Sequence, residues 1–289
     1  MSGHDIRELH TMAEFEEVSR LFCAVWGTDP ASPVVPAEIM RALSHAGNYA
    51  AGAYEEGRLT GASLGFFAEP AGTTLHSHIT GTTGAGRGTG LALKLHQRQW
   101  ALDRGLKRIT WTYDPLIRRN AHFNLTKLGA RPEEYLQSFY GAMDDAINGG
   151  DESDRVLAVW DLGLPVGPRP APHTGQPHTA HAGNPAALPA DVAHAVRDHD
   201  GHPRLGPMDA EFVLVELPDD IEALRRTDAS AARDWRLAVR QTLGELLGEG
   251  ARVVAMHDRR GYLVRRPATP AASGPNPTPV NAHHPGSHL

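Results

Sequence analysis

Apolar positions change period several times along the chain, and each change predicts an element. Phe15, Val18, Phe22 and Val25 recur three or four residues apart, after a Thr11/Glu14 capping-box pair and before Gly27, which predicts a helix over 12–26. Pro36 opens a shorter helix carrying Ile39, Met40 and Leu43. Residues 6–9 read as a strand, and 49–54 with 59–66 as a hairpin around Glu56-Gly57-Arg58. A strand over 75–80, a glycine-dense turn over 81–90 and a helix over 89–104 follow. The alternation Ile109, Trp111, Tyr113 predicts a strand that Asp114-Pro115 ends. Beyond it come a helix over 116–128 stopped by Gly129, and strands near 130–140 and 155–162. The fold class is α+β, with α and β mixed: a mostly antiparallel sheet with helices on its faces.

The second half is less regular. Residues 164–206 are rich in Pro, Gly and His with no apolar period, and read as a linker with at most a transient helical turn at 191–197. Order returns over 207–266. A strand at 211–217 and a short helix at 221–226 precede a longer helix at 231–247. That helix carries Trp235, Val239, Leu243, Leu246 and Leu247 on one side, and a hairpin of 251–256 with 262–264 follows. A unit of about 55 residues is small for its own core. It is therefore expected to pack as a C-terminal αβ extension on a first domain at 5–163, either enlarging a pocket or bracing the fold. Residues 267–289 read as a disordered tail.

Composition narrows the functions. A formal net charge of −6 argues against nucleic acid or an anionic membrane as the main partner. The single cysteine, Cys23, sits in a helical apolar pattern and suits a reducing compartment. The N-terminus is polar and no run approaches membrane-spanning length. A cytoplasmic protein is expected. Many of the 17 histidines fall in the linker and tail, a poor frame for a metal site, and none is expected.

The chemistry points to the run from Leu75 to Leu102. Glycines at 84, 86, 88 and 90 let a ligand approach the backbone, and the helix behind them directs its unpaired N–H groups and positive dipole end into the loop. Strand, glycine loop and helix N-terminus form an anion site suited to phosphate or pyrophosphate. The P-loop pattern fails, because Arg87 and Gly88 stand where Lys and Ser/Thr belong. The G-x-G-x-x-G pattern fails because its third glycine falls on Thr89 or Leu91.

The run Arg87-Gly88-Thr89-Gly90-Leu91-Ala92-Leu93 resembles the pyrophosphate loop of the GNAT superfamily of N-acyltransferases, [RQ]-x-x-G-x-[GA]-x-x-L. Gly88, Gly90 and Leu93 match it. Ala85 occupies its first position, where Arg87 stands close enough to substitute. His76-Ser77-His78, Leu93 to Arg98, Thr110 to Leu116 and Asn120 to Gly129 are similar to a bacterial branch related to amino-acid N-acyl(succinyl)transferases. The resemblance covers 5–164 and returns more weakly over 211–264. It implies a GNAT-like sheet whose fourth and fifth strands splay apart, with acyl-CoA (acetyl-CoA or succinyl-CoA) lying in the V as cosubstrate. It also implies a small-molecule amine as the other substrate, and leaves room for a homodimer. The loop residues Arg87, Gly88, Thr89 and Gly90 would hold pyrophosphate. The strand backbone at Ile79, Thr80 and Gly81 would hold pantetheine and an oxyanion. The resemblance further implies that Asn120 lies on the superfamily's fourth helix and helps bind the cofactor, and that Leu125 stands where the superfamily often has the Tyr that protonates the departing thiolate.

An attacking amine must lose a proton. His76, His78 and Thr80 alternate on one strand face, and either histidine could be that base or simply pair with backbone. His78 is preferred because it lies nearer the loop. Asp114 could orient a histidine, bind the substrate ammonium, or only end its strand. Arg118 and Arg119 could hold an acidic group. A non-catalytic acyl-CoA sensor or scaffold is the alternative to an enzyme.

Overall fold

A computed structural model describes residues 5–84, 88–141, 151–168, 188–189 and 191–267. The capping box works as its residues predict: Thr11 Oγ1 accepts from Glu14 N, and the Glu14 carboxylate accepts from Thr11 N at 2.9 Å. Helix α1 (Met12–Trp26) ends on Gly27 at φ 66°, a conformation that favours glycine. Helix α2 (Ala37–His45) packs beside it.

Seven strands form the first sheet: β1 (Asp5–Glu8), β2 (Tyr49–Glu55), β3 (Arg58–Ala68), β4 (Thr74–Thr82), β5 (Arg108–Tyr113), β6 (Arg131–Leu136) and β7 (Arg155–Asp161). Their order is β1-β2-β3-β4-β5-β7-β6, and only β4 with β5 is parallel. Helix α3 (Thr89–Asp103) makes that parallel crossover. Helix α4 (Arg118–His122) begins two residues later than predicted and passes into a π turn, Phe123–Leu128, before Gly129. Mixed, mostly antiparallel and helix-flanked, this is the sheet the sequence predicts. Among the described residues no helix is long and apolar enough to cross a membrane.

The linker reading needs correction at its C-terminal end. Strands β8 (Ala193–His199) and β9 (His202–Leu205) form a hairpin where 164–206 was expected to lack structure and 191–197 to be a helical turn. Strand β8 pairs in parallel with β10 (Phe212–Glu216), so a neighbour supplies the burial that the polar sequence does not advertise. Only Ala195 and Val196 of β8 are buried. With β11 (Arg252–His257) and β12 (Gly261–Arg265) they complete a second sheet, β11-β12-β10-β8-β9. Residues 169–187 of the predicted linker, and 268–289 of the predicted tail, lie outside the described residues.

Helices α5 (Ile221–Thr227), α6 (Ala229–Val239) and α7 (Glu245–Gly248) accompany the second sheet. Trp235, Val239, Leu243 and Leu246 are buried, as their spacing predicts. One hydrophobic core runs through both sheets, joining Trp100, Trp111 and Trp160 to Trp235, Val253 and Tyr262. A chain stopped at Gly163 should therefore melt well below the full chain or aggregate, because Leu116, Leu125 and Leu128 would lose their cover. Equal melting temperatures for the two would show that the second sheet is an independent module.

Candidate active site

Strands β4 and β5 pair at only three positions, Thr74 with Arg108, Leu75 with Ile109 and His76 with Thr110. Beyond them β4 stays bonded to β3 as far as Thr82, and β5 to β7 as far as Tyr113. From Ser77 onward the two strands diverge, and each turns an unpaired backbone edge toward the other. The wedge is a cavity of about 470 Å³ that also reaches Trp26 of α1 and Asn120 and Asn124 after it on the α4 side. Its size suits a small organic ligand.

A β-bulge sits at the apex. Leu64 pairs with Ile79 and Gly65 with Ser77, so His78 is the extra residue. A bulge bends its strand and re-aims the side chains after it. That overturns one expectation: Thr80 does not share a face with His78. Thr80 Oγ1 lies 2.8 Å from Ser63 Oγ, and Gln97 of α3 donates to the same Ser63 oxygen at 3.4 Å. Thr80 is therefore on the α3 side with Ser77. Gly81 faces α1, where a Cβ would stand 2.7 Å from the Trp26 ring, so only glycine fits beneath that indole.

The two histidines differ. His78 lines the wedge with part of its ring open to solvent, and the protein packed against the rest partly desolvates the ring and lowers its pKa. The ring of His76 is half-buried, with Nδ1 3.1 Å from Thr110 Oγ1. Desolvation, with smaller contributions from His78 and Lys94, pushes its pKa down to about 4. Both rings pack on Phe66, at centroid distances of 5.2 Å for His76 and 5.7 Å for His78. His78 is thus the histidine placed to meet a ligand.

Helix α3 follows β4 and lines the wedge with Lys94. Its N-cap, Gly88, has φ 98°, which favours glycine, and no side chain among the described residues caps it. Thr89 is buried, and the Cβ direction of Gly90 meets nothing within 4 Å. A helix N-terminus that starts on glycine is fit for a pyrophosphate. Arg87 lies outside the described residues.

Two wedge residues carry chemistry that periodicity alone did not single out. Lys94 is 6% exposed, yet no carboxylate of the described residues pairs with it. Its Nζ donates to Ser77 Oγ at 2.7 Å and to Gln97 Oε1 at 3.3 Å, and lies 4.1 Å from the centroid of the Trp111 ring. Burial pushes its pKa down to about 7. The available signal was positional: Lys94 falls three residues before Gln97 and seven before Ala101, on the buried stripe of α3. Asn124, 3% exposed, lines the wedge from the π turn, and its Nδ2 has no partner among the described residues. A buried donor left unpaired costs about 1–3 kcal/mol. A ligand carbonyl or a water in the wedge would satisfy it.

Of the roles open to Asp114, the structure shows the strand-ending one, and adds an anchoring role. It is buried at the end of β5, where Arg236 donates to both its oxygens at 2.8 and 2.9 Å and Arg225 at 2.6 Å. It also accepts from Leu116 N at 2.9 Å. Burial alone would raise its pKa, but the two arginines outweigh burial and hold the carboxyl well below the usual range. A carboxylate so committed is neither a base nor an ammonium receptor. It fastens α5 and α6 to β5. Arg118 and Arg119 do similar work: Arg118 donates to Leu217 O and pairs with Asp219, and Arg119 pairs with Glu222.

No protein-family model and no curated protein sequence matches the chain. Solved structures do. An N-acetyltransferase from Staphylococcus aureus Mu50 is 14% identical over 56% of this chain and 99% of its own, with a TM-score of 0.44. The ribosomal-protein-S18-alanine N-acetyltransferase from Escherichia coli is 11% identical over 56% of this chain and 96% of its own, also at 0.44. An aminoglycoside 6'-N-acetyltransferase complexed with coenzyme A is 15% identical over 57% and 99%, at 0.42. At such scores the likeness assigns neither activity nor substrate.

Proposed function

We propose that the chain is an acyl-CoA-dependent N-acyltransferase of the GNAT kind, moving an acetyl or succinyl group to a primary amine of a small molecule. Amino acids are the first acceptors to try. One observation carries the reading: the open backbone edge of β4 from Ser77 to Thr82 leads to α3, a helix that starts on glycine. An extended amide chain ending in a pyrophosphate, which is the form of coenzyme A, can pair with the edge while its phosphates meet the helix. The amine attacks the thioester carbonyl from the wedge, and a backbone N–H within 79–81 that is not spent on the ladder with β3 stabilises the oxyanion.

His78 is the base in this scheme. A base must be unprotonated, so its contribution is present above its pKa and lost as pH falls through it. With that pKa lowered, the acid limb of kcat/KM should lie below the ordinary histidine value of about 6.5. His78→Gln should cost roughly 10²–10⁴-fold and flatten the limb while leaving acyl-CoA affinity nearly intact. A variant with the parent's rate and profile would pass the role to water.

The competing reading is an acyl-CoA sensor, favoured by Leu125 where the superfamily resemblance implies a tyrosine. Thiol release from acetyl-, succinyl- and longer acyl-CoA against a panel of primary amines separates the two. Tight binding with no thiol released from any pair would establish the sensor.

A further inference from the structure

A thioester attacked by an amine must expel sulfur, and a positioned acid that protonates the coenzyme A thiolate as it departs speeds that step and keeps the thiolate from attacking back. Leu125 carries no proton to give. Tyr113 lines the wedge, but its oxygen already accepts from Tyr262 at 3.2 Å and burial raises its pKa, which makes it a weak acid. Lys94 differs. It sits on the floor of the wedge next to Ser77, the first β4 residue past the last β4–β5 pair.

The surroundings of Lys94 decide between acid and base. Ser77 Oγ, Gln97 Oε1 and the face of Trp111 are two acceptors and a π cloud, the partners of an ammonium. Gln97 is oriented by its own Nε2–H, which donates to Ser63, so its oxygen is the atom left for Lys94. The resting group therefore holds its proton, and what it can offer a reaction is that proton.

We propose that Lys94 is the general acid of the acyl transfer, giving a proton, directly or through Ser77 Oγ, to the sulfur of departing coenzyme A. The inference rests on the acyltransferase reading above. The amine lone pair forms the new C–N bond and the C–S bonding pair moves onto sulfur. Sulfur takes a proton from the Lys94 ammonium, leaving a neutral amine that water reprotonates. The extra proton of the new amide nitrogen leaves through His78. Nothing is oxidised or reduced. An ordinary lysine, at about 10.4, holds its proton more tightly than a thiol at about 8.5 does. Burial brings Lys94 to about 7, below the thiol, so the transfer runs downhill. The titratable and charged groups around it are His76 and His78 of β4, Tyr113 and Asp114 at the end of β5, Arg119 of α4 and Arg155 of β7.

The test uses the full chain, acetyl-CoA and the best primary amine of the panel. Lys94→Met should lower kcat roughly 10²–10⁴-fold with KM for acetyl-CoA within a few-fold. Lys94→Arg keeps the positive charge and cannot release a proton near neutral pH, so it should not rescue. The parent's kcat should fall as pH rises past about 7, where the acid is lost, and Lys94→Met should lack that alkaline limb. Parent-like kcat in Lys94→Met, or full rescue by Lys94→Arg, overturns the proposal while leaving the acyltransferase intact. If neither variant folds, the parent profile decides, and one with no alkaline limb overturns it. A parent that releases no thiol with any amine overturns the acyltransferase reading itself.

Discussion

Asp114→Asn should destabilise the chain by about 3–5 kcal/mol, the usual cost of breaking a buried ion pair by removing one partner. The carboxylate and its two arginines are almost fully buried: the side chains of Asp114, Arg225 and Arg236 are 3%, 4% and 2% exposed. Asp151 shares the load, accepting from Arg236 at 2.9 Å and from Arg225 at 3.3 Å. Without Asp114, both buried cations would lose their shortest carboxylate contacts. The pH dependence follows from the sign of the shift. The folded-state pKa of Asp114 is depressed, so its stabilisation is fully present above the unfolded value of about 3.9 and is lost as pH falls from there through the folded value. Urea unfolding at pH 7 should show the whole deficit, and the gap between parent and variant should narrow at strongly acidic pH. A loss under about 1 kcal/mol at pH 7 would mean that Asp151 alone can hold both arginines.

Gly90→Glu should weaken coenzyme A binding by at least about 100-fold, or some 3 kcal/mol, in a protein that folds like the parent. The Cβ at this position enters open space, and Gly90 is in a helix, so the fold gives no reason for resistance. The same opening is where a pyrophosphate would lie, and a carboxylate there would oppose its charge and occupy its volume. Gly88→Glu should also abolish binding, but φ 98° would strain the backbone as well, so Gly90 is the cleaner position. Calorimetry with coenzyme A reads the effect. Unchanged affinity in folded Gly90→Glu would remove α3 as the phosphate site.

The elements that the sequence predicts well share a physical cause. Helix α1 carries its own capping box, apolar stripe and glycine stop, and its predicted and observed bounds coincide. The strand–glycine–helix run is equally self-contained. Failures came where a distant partner decides. β8 has a polar, histidine-rich sequence and is a strand because β10 pairs with it. The bulge at His78 arises from register against β3, and it reverses the face of Thr80 that strict alternation assigns. Asp114 looks free in sequence because Arg225 and Arg236 lie more than a hundred residues away. Lys94 lies within the superfamily-like run 93–98, but its chemistry comes from burial that a charged residue on a helix does not announce.

The outer edges of both sheets bear on self-association. β1 is four residues, Asp-Ile-Arg-Glu, three of them charged, and β6, which packs beside β11, carries Pro132, Glu133 and Glu134 with a register break. At the far ends of the second sheet, β9 contains Pro203 and β11 begins on exposed Arg252 and slips register before Ala255. Short length, proline, charge and bulges are the devices that keep exposed strands from recruiting copies of themselves. The long stretch of β4 unpaired on its β5 side has only the bulge at His78 as a device of this kind, and it faces the inside of the wedge, not an outer edge. Its stickiness is kept from other chains by position, so the hydrogen-bonding hunger that would otherwise seed aggregates is reserved for whatever enters the wedge.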